Sequence, residues 1–151
     1  MKKGLLIVMT FVLIVITGCV KVEEQGNYKV GTYFGSFVDN GSVATAVVYV
    51  DDNGYIKSVY LDTTYEKDEI LTTKKTLGEE YGMKAASPIS KEWFEQVGIL
   101  ENKIITEQGL DWIKWTDEDK TETDSVSGVT MKINALYKAV DGALKQAKEG
   151  K

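Results

Sequence analysis

The stretch from Tyr28 to Tyr65 constrains the fold more than any other part of the chain. It reads YKVGTYFGSFV, DNG, SVATAVVYV, DDNG and YIKSVYLDTTY: three aromatic and β-branched runs parted by Asn-Gly breaks. Such side chains suit a pleated surface, and Asn and Gly tolerate the positive φ of tight hairpin turns. The runs predict a three-stranded antiparallel meander from about Tyr28 to Tyr65.

The pattern then changes. EKDEILTTKKTLGEEYGMK is rich in helix formers interrupted by Gly78 and Gly82, which predicts a short helix followed by a loop. Ser87-Pro88 has the form of a helix start, with Ser87 as cap and Pro88 at the first helical position. Downstream, Ile89, Trp93, Val97, Leu100 and Ile104 fall on one helical face, and Gly109 lies just past its end. LDWIKW alternates apolar and polar residues as a half-buried strand would, which puts Trp112 and Trp115 on opposite sides. TDEDKTETD reads as a charged loop, in which the acids Asp117 to Asp119 either bind a cation or are simply solvated. A last apolar stripe, Ile133, Leu136, Tyr137, Val140 and Leu144, predicts a helix from about Met131 that frays in KQAKEGK. Strands and helices segregate instead of alternating. The expected class is α+β, an antiparallel sheet with helices packed against it, in one domain over 28–151.

The chain opens with MKKGLLIVMTFVLIVITGC, a basic start, an apolar run and small residues ahead of a cysteine. That is the form of an export signal, and Gly4–Ile16 is short for a spanning helix, which needs about 20 apolar residues. The segment resembles a lipoprotein signal with its lipobox. The resemblance implies a signal peptide over 1–18, cleavage before Cys19, acylation of that thiol, and a short tether over 19–27. The domain is then expected outside the cytoplasmic membrane and held to it by lipid.

Removing residues 1–18 takes Lys2 and Lys3 with it, so 18 basic residues become 16 against 23 acids, a formal charge of −7. All of these basic residues are lysines. An acidic domain without arginine lacks the bidentate forks that read phosphates and base edges, so no nucleic-acid partner is expected. With one cysteine, Cys19, and no histidine, disulfides, Cys/His zinc sites, histidine-based triads and thiolate-bound clusters are excluded. An organic cofactor is then the natural carrier for any redox chemistry, and carboxylate catalysis stays open.

DSVSGVT, Asp124 to Thr130, precedes the last helix. Taken locally, Ser127 or Thr130 caps that helix and Gly128 permits a turn. The same place also suits phosphate, because free amides and the helix dipole favour an anion there. Both readings stand on local grounds.

The stretch resembles the flavinylation motif of FMN-binding domains: an Asp, two variable residues, Ser or Thr, Gly, usually Ala, then Thr or Ser. Asp124, Ser127, Gly128 and Thr130 match, and Val129 stands where alanine is usual. In that family a flavin transferase takes FMN from FAD and joins its phosphate to the last hydroxyl, which implies Thr130 as the covalent FMN acceptor. TKKTLGEEYGMKAASPISKEWFEQ, Thr73 to Gln96, is similar to the segment between sheet and helix in extracellular electron-transfer flavoproteins. Within it Met83 either contacts the isoalloxazine or fills the core. Lys84 either neutralises the phosphate or reduced flavin or is solvated, and Trp93 is either core or part of the flavin site.

The resemblance implies a membrane-anchored electron carrier that is not itself an enzyme. It would be loaded by a flavin transferase, receive electrons from a quinol-linked donor in the membrane, and act as a monomer. Two other classes remain open: a surface lipoprotein that binds a ligand or partner without flavin, and a carboxylate hydrolase acting on envelope glycans, which needs two acids in a cleft. The anchor has its own test. Cys19→Ala should release the protein from membranes or leave an unprocessed precursor, read by fractionation and mass. Normal cleavage with unchanged membrane association would count against it.

Overall fold

The computed structural model describes residues 25–149; the expected signal segment, Cys19 and most of the expected tether lie outside them. Four strands form one antiparallel sheet in the order β1-β2-β3-β4: β1 Gly31–Asp39, β2 Ser42–Val50, β3 Ile56–Lys67 and β4 Ile70–Thr73. Short α1 (Lys74–Leu77) leads into a 3-10 turn at Gly78–Tyr81, and two long helices follow, α2 (Trp93–Glu107) and α3 (Asn134–Glu149). The α+β class and the early meander are as the sequence predicts. Among the described residues, no helix is long and apolar enough to cross a membrane.

The first two turns follow from their residues. Asp39 pairs with Ser42 across Asn40 and Gly41, whose φ values of 48° and 82° give the two-residue hairpin that matches strand twist. At the second turn the Asp51 carboxylate accepts the Asn53 and Tyr55 amides at 3.2 and 2.9 Å. The third turn shortens the expected helix, which is kept as α1 at Lys74–Leu77. Asp68 and Glu69 take positive φ, 52° and 64°, and pair β4 back onto β3. Glutamate and lysine there carry helix propensity, and no glycine marks the reversal, so local composition points the wrong way.

Alternation along the strands sorts the two faces. Tyr33, Ala44, Ala46, Val48, Val59 and Leu61 are buried on the helix side. Phe34, Val47 and Tyr60 are partners in register on the other face, where Phe34, Val38, Tyr49 and Tyr60 are exposed. α3 lays Ala139, Ala143 and Ala147, all fully buried, along β1, flanked by Leu136, Val140 and Leu144. Each of the larger three contributes about 1.5–3 kcal/mol. The helix does not fray where the sequence suggests: the Lys29 amide donates to the Ala147 carbonyl at 2.9 Å, and Lys29 Nζ to the Glu149 carbonyl at 2.8 Å.

The start of α2 is also corrected. Ser90 has φ 52° and breaks the Ser87-Pro88 turn, so the helix begins at Trp93, with the Glu95 carboxylate accepting the Glu92 amide at 2.7 Å. Ile89 is left in the exposed turn, whereas Trp93, Val97, Leu100 and Ile104 face the core. LDWIKW is not a strand. A turn bonds the Ile113 amide to the Leu110 carbonyl, and only the bridge Trp115–Thr123 forms. Both Trp112 and Trp115 are half-buried against the core.

Two glycines make opposite predictions. A Cβ on Gly35 would sit 1.9 Å from the Ala139 carbonyl oxygen, so Gly35→Ala must push α3 off β1 and should cost about 1–3 kcal/mol or more. A Cβ on Gly98, inside α2, meets nothing within 4 Å, so Gly98→Ala should gain about 0.5–1 kcal/mol. Urea melts of the two variants check both signs.

Candidate functional site

The DSVSGVT loop is fastened from below. Val126 and Val129 are buried, so both valines of the loop are core side chains. Gly128 has φ 86°, so the turn favours glycine, and a Cβ there would meet only the movable tip of Ile99, Cδ1 at 2.8 Å. Asp124, Ser127 and Thr130 face solvent. The expected cap is corrected: α3 begins at Asn134, four residues after Thr130, and its first turn closes with the Tyr137 amide on the Ile133 carbonyl.

Thr130 is held instead by Gln96. That side chain is fully buried on α2, and its Oε1 accepts the Thr130 amide at 2.8 Å, with the Thr130 hydroxyl at 3.4 Å. Its Nε2 donates to Ser87 Oγ at 3.2 Å and to the Lys91 carbonyl at 3.4 Å. One helical turn away, Glu92 Oε2 accepts the Met83 amide at 2.9 Å. The loop around Met83, the start of α2 and the DSVSGVT loop are thus bonded through two side chains.

Two hollows flank this junction. The larger, about 410 Å³, is lined by Asp39, Lys74, Trp93, Thr121, Lys132 and Asn134, among others. The smaller, about 320 Å³, is lined by Glu122, Asp124 and Thr130. The segment from Thr121 to Thr123 runs between them, bonded to the last loop by the Ile133 amide on the Thr121 carbonyl at 2.9 Å. Their charges differ: two lysines and one aspartate in the cleft, two acids in the pocket. Lys74 Nζ lies 4.9 Å from the Tyr81 ring centroid and 5.3 Å from that of Trp93. Its neighbour Lys75 is ion-paired with Glu101 instead.

The structure places the expected residues unevenly. Trp93 is buried yet lines the cleft, and it stands edge-on to Tyr81 at 6.5 Å. Met83 packs half-buried against the core and Lys84 is exposed, and neither lines either hollow. Asp117 is turned to its own loop, where its carboxylate accepts the amides of Thr121 and Glu122 and the Thr121 hydroxyl. The Glu122 amide is the main cause holding its carboxyl below the usual range. Among the described residues no group of three or more acids forms a metal site.

A known structure shares this architecture. The chain is similar to a structural-genomics target from Clostridium thermocellum solved by solution NMR. The two are 29% identical with a TM-score of 0.54, over 80% of this chain and 92% of that one. No family model and no curated protein sequence matches the chain. The likeness supports the α+β architecture.

Gln96, Lys74 and Lys132 were not legible as site residues. Lys132 lies two positions beyond Thr130, which was a usable signal; nothing local marks Gln96, because its partners are distant in sequence. Gln96→Leu keeps volume but removes the acceptor of the Thr130 amide and the donor to Ser87. It should cost about 1–3 kcal/mol in urea unfolding. A melt unchanged from the parent would show that the junction does not depend on this amide.

Proposed function

We propose that the chain is a lipid-anchored, extracytoplasmic electron carrier bearing FMN through a phosphate bond to Thr130. The observation that carries this reading is the solvent-facing Thr130, placed by its own backbone bond to buried Gln96 and not used to cap α3. An acceptor hydroxyl has to be reachable by a transferase and held on a rigid support, and both conditions are met. The residues present fit the group. Gly128 and Val129 shape the turn, Thr130 offers the nucleophile, and Lys132 brings a positive charge two residues on. When bound, the flavin supplies transfer of one or two electrons, while the protein holds it and leaves an edge accessible.

Loading by a flavin transferase, electrons from a quinol-linked donor and tethering through lipid on Cys19 complete the proposal. The domain is then a carrier and not an enzyme. A second reading, a partner-binding lipoprotein without flavin, draws support from the open sheet face, where Phe34 and Val38 are 64% and 65% exposed. It requires a colourless product even when a transferase is present.

Intact mass after co-production with a flavin transferase separates the two. The parent should gain the mass of FMN less one water, and Thr130→Ala should gain nothing. Thr130→Ser should keep some modification. Since the Thr130 hydroxyl bond is long and the residue exposed, Thr130→Ala should move stability by about 0.5 kcal/mol or less. A Thr130→Ala protein that still carries FMN would refute the assignment.

A further inference from the structure

Thr130 lines one hollow and Lys132, two residues on, lines the other, and the two offer a bound ring opposite electrostatic environments. The pocket that contains Thr130 carries Glu122 and Asp124. The cleft carries Lys74 and Lys132 against Asp39. Neither lysine has a carboxylate within ion-pair distance among the described residues, so both charges remain available to a ligand. Lys74 is also fixed in place, because its ammonium lies against the Tyr81 and Trp93 rings. The Trp93 indole gives an aromatic surface, and Asn134 offers an amide that donates and accepts. A volume of about 410 Å³ is within the range of small-molecule sites, roughly 300–1,000 Å³.

We propose that this cleft seats a flat heteroaromatic ring and that Lys74 and Lys132 bind its reduced, anionic form more tightly than its oxidised, neutral form. The proposal rests on the carrier reading of Thr130 and adds where the ring lies and what tunes it. Reduction brings two electrons from the donor, a quinol in the carrier reading or dithionite in the test, and one proton from water. One negative charge is then left on the ring. In the smaller pocket that charge would face two carboxylates. In the cleft it faces two ammonium groups, and Coulomb attraction there favours the reduced ring. Lys132 follows Thr130 by two residues, at most about 7 Å of backbone, so a ring tied to Thr130 has the cleft beside it.

The test uses the full chain co-produced with a flavin transferase, with intact mass and midpoint potential measured on each protein. Lys74→Met, Lys132→Met, Lys74→Arg and, as a control on the surface of α3, Lys138→Met are compared with the parent during dithionite titration against a redox dye. All loaded proteins should carry FMN mass. Each methionine variant at the cleft should lose about tenfold of its preference for the reduced ring, a potential lower by about 30 mV for a two-electron couple. Lys74→Arg keeps the charge and should stay near the parent, which separates loss of charge from loss of fold. Loaded Lys74→Met and Lys132→Met proteins whose potentials match Lys138→Met would overturn the cleft as the ring's seat while leaving the carrier reading intact. A parent chain that gains no FMN mass would overturn the carrier reading and this proposal together.

Discussion

The buried amide of Gln96 is the contact on which the rest of the site depends. A side-chain amide taken out of water is costly unless its groups are bonded, so a fully buried glutamine must be surrounded by partners. Here the partners come from three places: the Thr130 backbone and hydroxyl, the Ser87 hydroxyl and the Lys91 carbonyl. Satisfying one side chain therefore draws two long irregular segments onto the first turn of α2. Glu92 adds the Met83 amide to the same junction. The path of these loops is specified by what the helix cannot leave unpaired.

The same economy governs the edges of the sheet. β3 pairs with β4 only over its last residues, and its earlier outward groups need other partners. The side chain of Gln108, just past α2, accepts the Ile56 amide on Oε1 and donates from Nε2 to the Ile56 carbonyl. Glu101 accepts the Leu61 amide at 2.6 Å while ion-paired with Lys75. On the far edge, Gln146 of α3 donates to the Phe34 carbonyl at 2.8 Å. The long helices thus complete the hydrogen bonding of the strands they lie beside, in addition to covering them with apolar surface. This fixes the position of α2 against β3, and with it the placing of Gln96 and Trp93.

Charge is distributed with consequences of its own. The domain is acidic overall, yet the lysines at 74 and 132 meet in one cleft while Glu122 and Asp124 meet in the neighbouring pocket. Net charge repels anionic surfaces at a distance, and local charge decides which hollow tolerates an anion at contact range. Adjacent lysines in α1 show how finely this is set: Lys75 is spent on Glu101 and Lys74 is left facing the cleft.

Where side-chain period and turn chemistry carried the information, the sequence alone was sufficient. The alternating runs and their Asn-Gly breaks determined β1 to β3, and the stripes at Val97, Leu100 and Ile104 and at Leu136, Val140 and Leu144 determined two core-facing helices. It also picked out the DSVSGVT stretch and the glycine its turn requires. Tertiary structure decided what depends on distant partners. Glu69 joins Asp68 in a hairpin turn that its own helix propensity opposes, because β4 gains a partner in β3. Ser87 is bonded to Gln96 instead of capping a helix, and Ala147 stays helical because Lys29 is bonded to it. Gln96 finds Thr130 across 34 positions, and the cleft exists only where the β1–β2 hairpin, α1, α2 and the start of α3 come together. Local pattern reports which face a residue prefers; only the packed fold supplies the neighbour that makes it part of a site.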